Sequence, residues 1–140
     1  MTRTRFLLAT ACGSLLIALT GCGGDDGNGG GNGSGAPGSQ AEQVAAGQEV
    51  YAAECAQCHG DQGQGGTGPG LVGSGKRIAS YQDTTRLYDY VSRTMPFDEP
   101  GSLTEQQYWD VIAYLLGEND LLPADTVLSP ESEPLELTRE

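Results

Sequence analysis

Apolar positions recur three or four residues apart in three stretches of the 140-residue chain. In residues 42–55, Val44, Gly47, Val50, Tyr51 and Cys55 form one helical stripe, with Glu42, Gln43 and Glu49 polar toward its start. A second helix is expected from a cap at Asp83 or Thr84 to about Arg93. Leu87 and Val91 lie one turn apart in it, Tyr88 or Tyr90 flanks them, and Met95-Pro96 stops it. The third opens on a capping box, Thr104 with Gln107, and on Leu103 and Tyr108 at staple positions. Its stripe of Tyr108, Val111, Ile112 and Leu115 runs to Leu116, and Gly117 stands where a left-handed C-terminal residue is expected.

Between these helices the pattern breaks. Residues 61–75 hold seven glycines and one proline, either a loop that wraps closely around a flat object or a floppy one. Residues 121–140 carry three prolines and an excess of acid without a countable period, and read as a mostly extended tail. No period-two run of strand length occurs, so the fold class is all-α, with no internal repeat.

The N-terminus differs from the rest. Arg3 and Arg5 precede an apolar stretch from Phe6 to Leu19 that is shorter than the ~20 residues a membrane helix needs, so residues 1–21 read as an export signal. Leu19-Thr20-Gly21-Cys22 resembles the bacterial lipoprotein cleavage box, which implies lipidation of Cys22; an ordinary secretory cut is the alternative. Residues 23–40 then form a Gly-rich tether, spanning on average roughly 21–25 Å as a random coil. The division is therefore signal 1–21, lipidated Cys and tether 22–40, folded domain 41–119 and acidic tail 120–140.

A folded part of about eighty residues buries little apolar surface on its own, and a bound group often makes up the difference. Charge narrows the partners. Seven Lys and Arg against nineteen Asp and Glu leave −12, and loss of residues 1–21 removes two arginines and no acid, giving −14. That excludes nucleic acid and favours partners with basic docking surfaces.

Cys55-Ala56-Gln57-Cys58-His59 is a C-x-x-C-H motif, the attachment signal for c-type haem. A short bend carries two thiols to one porphyrin edge and sets imidazole beneath the iron. His59 is the only histidine, so a different residue type must take the opposite face; Met95, the one methionine besides the initiator, is the distal candidate. Met/His ligation raises the reduction potential. Zinc is short of a fourth ligand, a thioredoxin-like pair lacks its strands, and a plain Cys55–Cys58 disulfide stays open.

With these residues in place, residues 43–117 resemble the class I cytochromes c. Gly47, Tyr51 and Cys55 match the family's N-terminal helix, and Ile112-Ala113-Tyr114-Leu115 its C-terminal contact segment. The resemblance implies the small class I fold, with N- and C-terminal helices crossing and three to four helices around one covalent haem c. Tyr114 would then pack near Gly47 and Tyr51. Gly68-Pro69-Gly70-Leu71 resembles the loop whose proline carbonyl accepts a hydrogen bond from the proximal imidazole, which implies that role for Pro69, although Gly70 departs from the usual Asn or Asp. Thr94-Met95-Pro96 fits the distal-ligand segment, and Met95 to Leu103 is similar to cytochrome subunits of sulfite and sulfur-compound dehydrogenases and of some quinoprotein systems. Lys76 and Arg77 could compensate haem propionates or form a solvated pair, and Trp109 could be interface or outer core.

The resulting expectation is an exported, lipid-anchored mono-haem cytochrome that shuttles single electrons between redox proteins, with no small-molecule substrate and no catalysis of its own. Alternatives are the electron-accepting subunit of a sulfite, sulfur or quinoprotein dehydrogenase, and a ligand-binding haem sensor or peroxidase with Met95 off the iron.

Overall fold

The computed structural model describes residues 37–73 and 76–137. The signal, Cys22 and most of the tether lie outside them. Among the described residues five helices follow in order: α1 Gln40–Glu54, α2 Ala56–His59, α3 Lys76–Ala79, α4 Thr84–Thr94 and α5 Glu105–Glu118. Among the described residues the only pairing of strand type is an isolated antiparallel bridge, Asp83 to Glu136. The molecule is all-α, as its periodicity implied, and no helix among the described residues is long and apolar enough to cross a membrane.

Capping chemistry fixes the helix starts. Ser39 accepts the Glu42 N–H at α1, Asp83 accepts the Arg86 N–H at α4, and at α5 Thr104 and Gln107 satisfy each other's backbone N–H groups reciprocally. α5 is the axis of the fold: every residue from Tyr108 to Leu116 is buried, because α1 packs on one side and α4 on another. α1 and α5 cross at Gly47, where a Cβ would run into the Asp110 carbonyl oxygen and come within 2.9 Å of Tyr114 Cβ. Only glycine lets the backbones approach so closely. One turn on, the Tyr51 and Tyr114 rings meet at 5.3 Å, the contact expected from the family pattern. On the α4 side Tyr88 stacks on Trp109 at 4.4 Å and meets Tyr108 edge-on at 6.1 Å, which makes Trp109 a buried core residue.

Three expectations need correction. Gly117 is not the left-handed terminator, for α5 runs past it to Glu118 and caps at Asn119. Asp120 takes the positive φ of 55° instead. The Asn119 amide donates to the Leu115 carbonyl, closing the helix end without glycine. Gln43, read as a polar flank of α1, is fully buried, while Val44 and Val50 are half-buried. Finally, residues 120–137 lack regular structure but are not a free tail, so the body extends past 119: Leu128 and Leu137 sit in the core. Gln43 reads the Leu128 backbone as a neighbouring strand would, its Nε2 donating to the Leu128 carbonyl and its Oε1 accepting the Leu128 N–H, both at 2.8 Å. Thr84 and Leu135 exchange two further bonds, and the Leu137 N–H reaches the Gln82 carbonyl. Each leucine enters the core singly, which leaves no period to read.

Candidate haem site

α1 ends at Cys55, and a single further turn, α2, brings Cys58 and His59 around. The N–H groups of both residues point to the Cys55 carbonyl, at 3.1 and 2.9 Å, so the three chemically active side chains share one tight bend. Cys58 is exposed and Cys55 half-buried, and neither thiol is bridged. Burial, reinforced by Glu54 and Cys58, pushes the Cys55 thiol up to about 11.

The loop after α2 folds back over the imidazole. Gly65 N–H donates to the His59 carbonyl, Gly68 N–H to the Cys58 carbonyl, and Leu71 and Val72 N–H groups both reach Gly63 O. This winding delivers Pro69 O to 2.7 Å from His59 Nδ1. A carbonyl can only accept, so Nδ1 carries a proton, and in the neutral ring that leaves the lone pair on Nε2. Gly68 lies against the ring, where a Cβ would stand 2.9 Å from Cε1, so the loop needs glycine there to close. His59 is 8% exposed, buried by this loop. From α1, the Tyr51 hydroxyl donates to the Gly60 carbonyl at 2.8 Å and pins the residue that follows His59. The Asn119 amide ties Leu71 O to the end of α5.

Met95 is placed by another pair of elements. It is the half-buried C-cap of α4, its N–H bonded to Val91 O at 2.9 Å, and its carbonyl accepts the hydroxyl of Tyr108 on α5, also at 2.9 Å. Pro96 behind it is buried, and Phe97 is 83% exposed. Thus Cys55, Cys58, His59 and Pro69 are brought into direct association, whereas Met95 is positioned separately, by its bonds to α4 and α5. Arg77 is exposed, Lys76 opens α3, and Cys22 lies outside the described residues.

The hydroxyls of Tyr51 and Tyr108 and the amide of Asn119 escaped the sequence reading. The two tyrosines belong to expected helices and Asn119 lies just past the expected end of the last one, but the carbonyls of Gly60, Met95 and Leu71 that they reach lie on irregular segments whose path no periodicity reports. The donor set suits a covalently held haem: two unbridged thiols on one turn, and an imidazole presenting Nε2 because its Nδ1 is engaged.

Comparisons with known proteins agree. The family described as "Cytochrome C oxidase, cbb3-type, subunit III" matches residues 42–115. Thiosulfate dehydrogenase of Stutzerimonas stutzeri (strain A1501) is 36% identical over 80 residues, which cover 51% of this chain and 26% of that protein. A chain in the crystal structure of the sulfane dehydrogenase SoxCD from Paracoccus pantotrophus is similar with a TM-score of 0.52 at 35% identity, over 61% of this chain and 47% of that one. The chain therefore spans about a quarter of the first relative's length and just under half of the second's. With the match running from the first turn of α1 almost to the end of α5, through the C-x-x-C-H turn itself, this chain belongs to the cytochrome c family of cbb3-type oxidase subunit III, an electron-carrying domain whose cofactor is covalently bound haem c.

Proposed function

We propose that the chain is a membrane-tethered, mono-haem electron carrier, with Cys55 and Cys58 as the thioether attachments and His59 and Met95 as the axial ligands. The haem, when bound, supplies reversible one-electron chemistry between its ferric and ferrous states. Everything else is the work of the chain. The single observation that carries the reading is the 2.7 Å bond from His59 Nδ1 to Pro69 O beside the C-x-x-C-H turn, which engages Nδ1 and leaves Nε2 as the nitrogen available to a metal. The Gly-rich loop shields that imidazole from water. Crossing helices locked at Gly47 keep the two ligand-bearing segments from drifting apart, so little rearrangement accompanies electron transfer.

The formal charge of −14 left after loss of residues 1–21 favours redox proteins with basic docking surfaces, and association rates that fall as salt rises. Residues 1–22 support export and anchoring through Cys22. The chain carries out no catalysis alone and needs no small-molecule substrate.

A second reading has a specific observation behind it: both relatives bear the names of sulfur-compound dehydrogenases. In that reading the chain is the electron-accepting subunit of such an enzyme, catalysis residing on another polypeptide. Expression of the full chain in a host competent in cytochrome maturation tests the first claim, through a pyridine haemochrome spectrum and an intact mass. One haem per chain and an acylated N-terminal Cys22 are expected; a colourless product with two alkylatable thiols would remove the attachment sites. Purification from the native membrane separates the readings, since a free carrier emerges alone and a subunit emerges with its dehydrogenase.

A further inference from the structure

We propose that Tyr108 is a positioning residue for Met95: its buried hydroxyl, donated to the Met95 carbonyl, ties the distal-ligand residue to α5 and keeps the thioether on the iron. This rests on Met95 being the axial ligand.

The two ligands pose different mechanical problems. An imidazole has a second nitrogen that the protein can grip, and Pro69 O grips it. A thioether has one donor atom, committed to the metal, so the protein can hold only the backbone beneath it. Met95 stands where backbone control is weakest, at the end of α4, where terminal carbonyls lose their helical partners. Its N–H is satisfied by Val91 O, and the next residue, Pro96, brings no N–H. Among the described residues, the hydrogen bond to its carbonyl comes from Tyr108.

Tyr108 is itself immobilised. It is 3% exposed, its N–H is bonded to Thr104 O in the capped first turn of α5, and its ring meets Tyr88 edge-on while Tyr88 stacks on Trp109. A foreign ligand binds only after Met95 leaves, so its apparent affinity is set by how readily the segment moves. Loss of the hydroxyl makes that movement easier. Tyr51 is the internal control: it donates to Gly60 O in the same manner, but on the side where His59 is already held through its own ring.

The test uses the exported holoprotein as wild type, Tyr108→Phe, Tyr51→Phe and Met95→Ala. Imidazole is titrated into the ferric form and followed by loss of the sulfur-to-iron charge-transfer band, with midpoint potentials and unfolding midpoints measured on the same samples. Tyr108→Phe is expected to bind imidazole roughly three- to tenfold more tightly, the equivalent of one ordinary hydrogen bond, and to have a lower potential. Tyr51→Phe should stay within about twofold of wild type despite losing an equivalent bond. Tyr108→Leu, which lacks the hydroxyl by another route, should move affinity in the same direction as Phe. The inference is overturned if Tyr108→Phe leaves imidazole affinity unchanged, or if both Phe variants shift together in step with their stability. Met95→Ala tells the two failures apart. If its band and affinity equal those of wild type, the ligand assignment falls and the inference with it; if the band is lost and Tyr108→Phe alone is inert, only the role of Tyr108 falls.

Discussion

The two sides of the proposed iron site are built on opposite principles. His59 is held by its side chain: a glycine-rich loop, nearly all backbone, wraps around the ring and presents Pro69 O to Nδ1. Met95 is held by its main chain, between Val91 O within α4 and the Tyr108 hydroxyl from α5. The first arrangement sets orientation and needs residues without side chains; the second sets position and needs large, rigid aromatic ones. The difference teaches that ligand chemistry dictates the kind of scaffold, since only the imidazole offers a second atom to hold.

Substitutions can break this contrast one side at a time. The largest effect is expected from Met95→Ala, which should abolish the sulfur-to-iron band, lower the potential within the ~0.8 V that axial ligands span, and open the iron to carbon monoxide. Redox titration and a carbon monoxide difference spectrum check it. Gln43→Leu should destabilise the fold by about 2–4 kcal/mol, because the buried Leu128 N–H and carbonyl both lose their partner. Denaturant unfolding measures that loss, while an unchanged haem spectrum would show that the C-terminal segment supports the fold and neither ligand. On the histidine side, Gly68→Ala should cost about 1–3 kcal/mol and perturb the potential, since its Cβ meets Cε1 at 2.9 Å.

Asp110 is buried, and burial raises its carboxyl pKa against the lowering effect of bonds from Gln106 and Gln43. With the folded pKa above the unfolded one, the stability linked to this group is complete at low pH and is lost as pH rises through the folded value. Asp110→Asn keeps an oxygen acceptor for both glutamines, so it should be more stable than wild type at neutral pH, the gap closing as acid is added; thermal melts across pH read it. Smallest of all, Gly117→Ala should stabilise by about 0.5–1 kcal/mol with the potential unmoved, because Gly117 is an exposed helical position with open space around its missing Cβ.

The helices were legible because each carries a local signal. Ser39 aside, the caps at Asp83 and Thr104 and the stripes of α4 and α5 lie within a few residues of what they organise. The C-x-x-C-H turn was legible for the same reason, and Gly47 against Tyr114 because a family pattern linked them. What stayed hidden depends on partners distant in sequence. Gln43 looks like a polar helix flank until Leu128, eighty-five positions away, supplies the backbone it pairs with. Leu128 and Leu137 look like tail residues because each fills its own hole in the core. Gly117 misled because the end of α5 is closed by the Asn119 amide, which frees the left-handed position for Asp120. The single turn α3, with buried Ile78, is too short to show a period.

X-ray absorption at the iron edge of the oxidised, full-length holoprotein tests the ligand assignment most directly. The expected first shell is nitrogen from the porphyrin and His59 with one sulfur at bonding distance, and that sulfur vanishes in Met95→Ala. An all-nitrogen shell, a five-coordinate iron, or a sulfur that survives the substitution would contradict the site described for Met95.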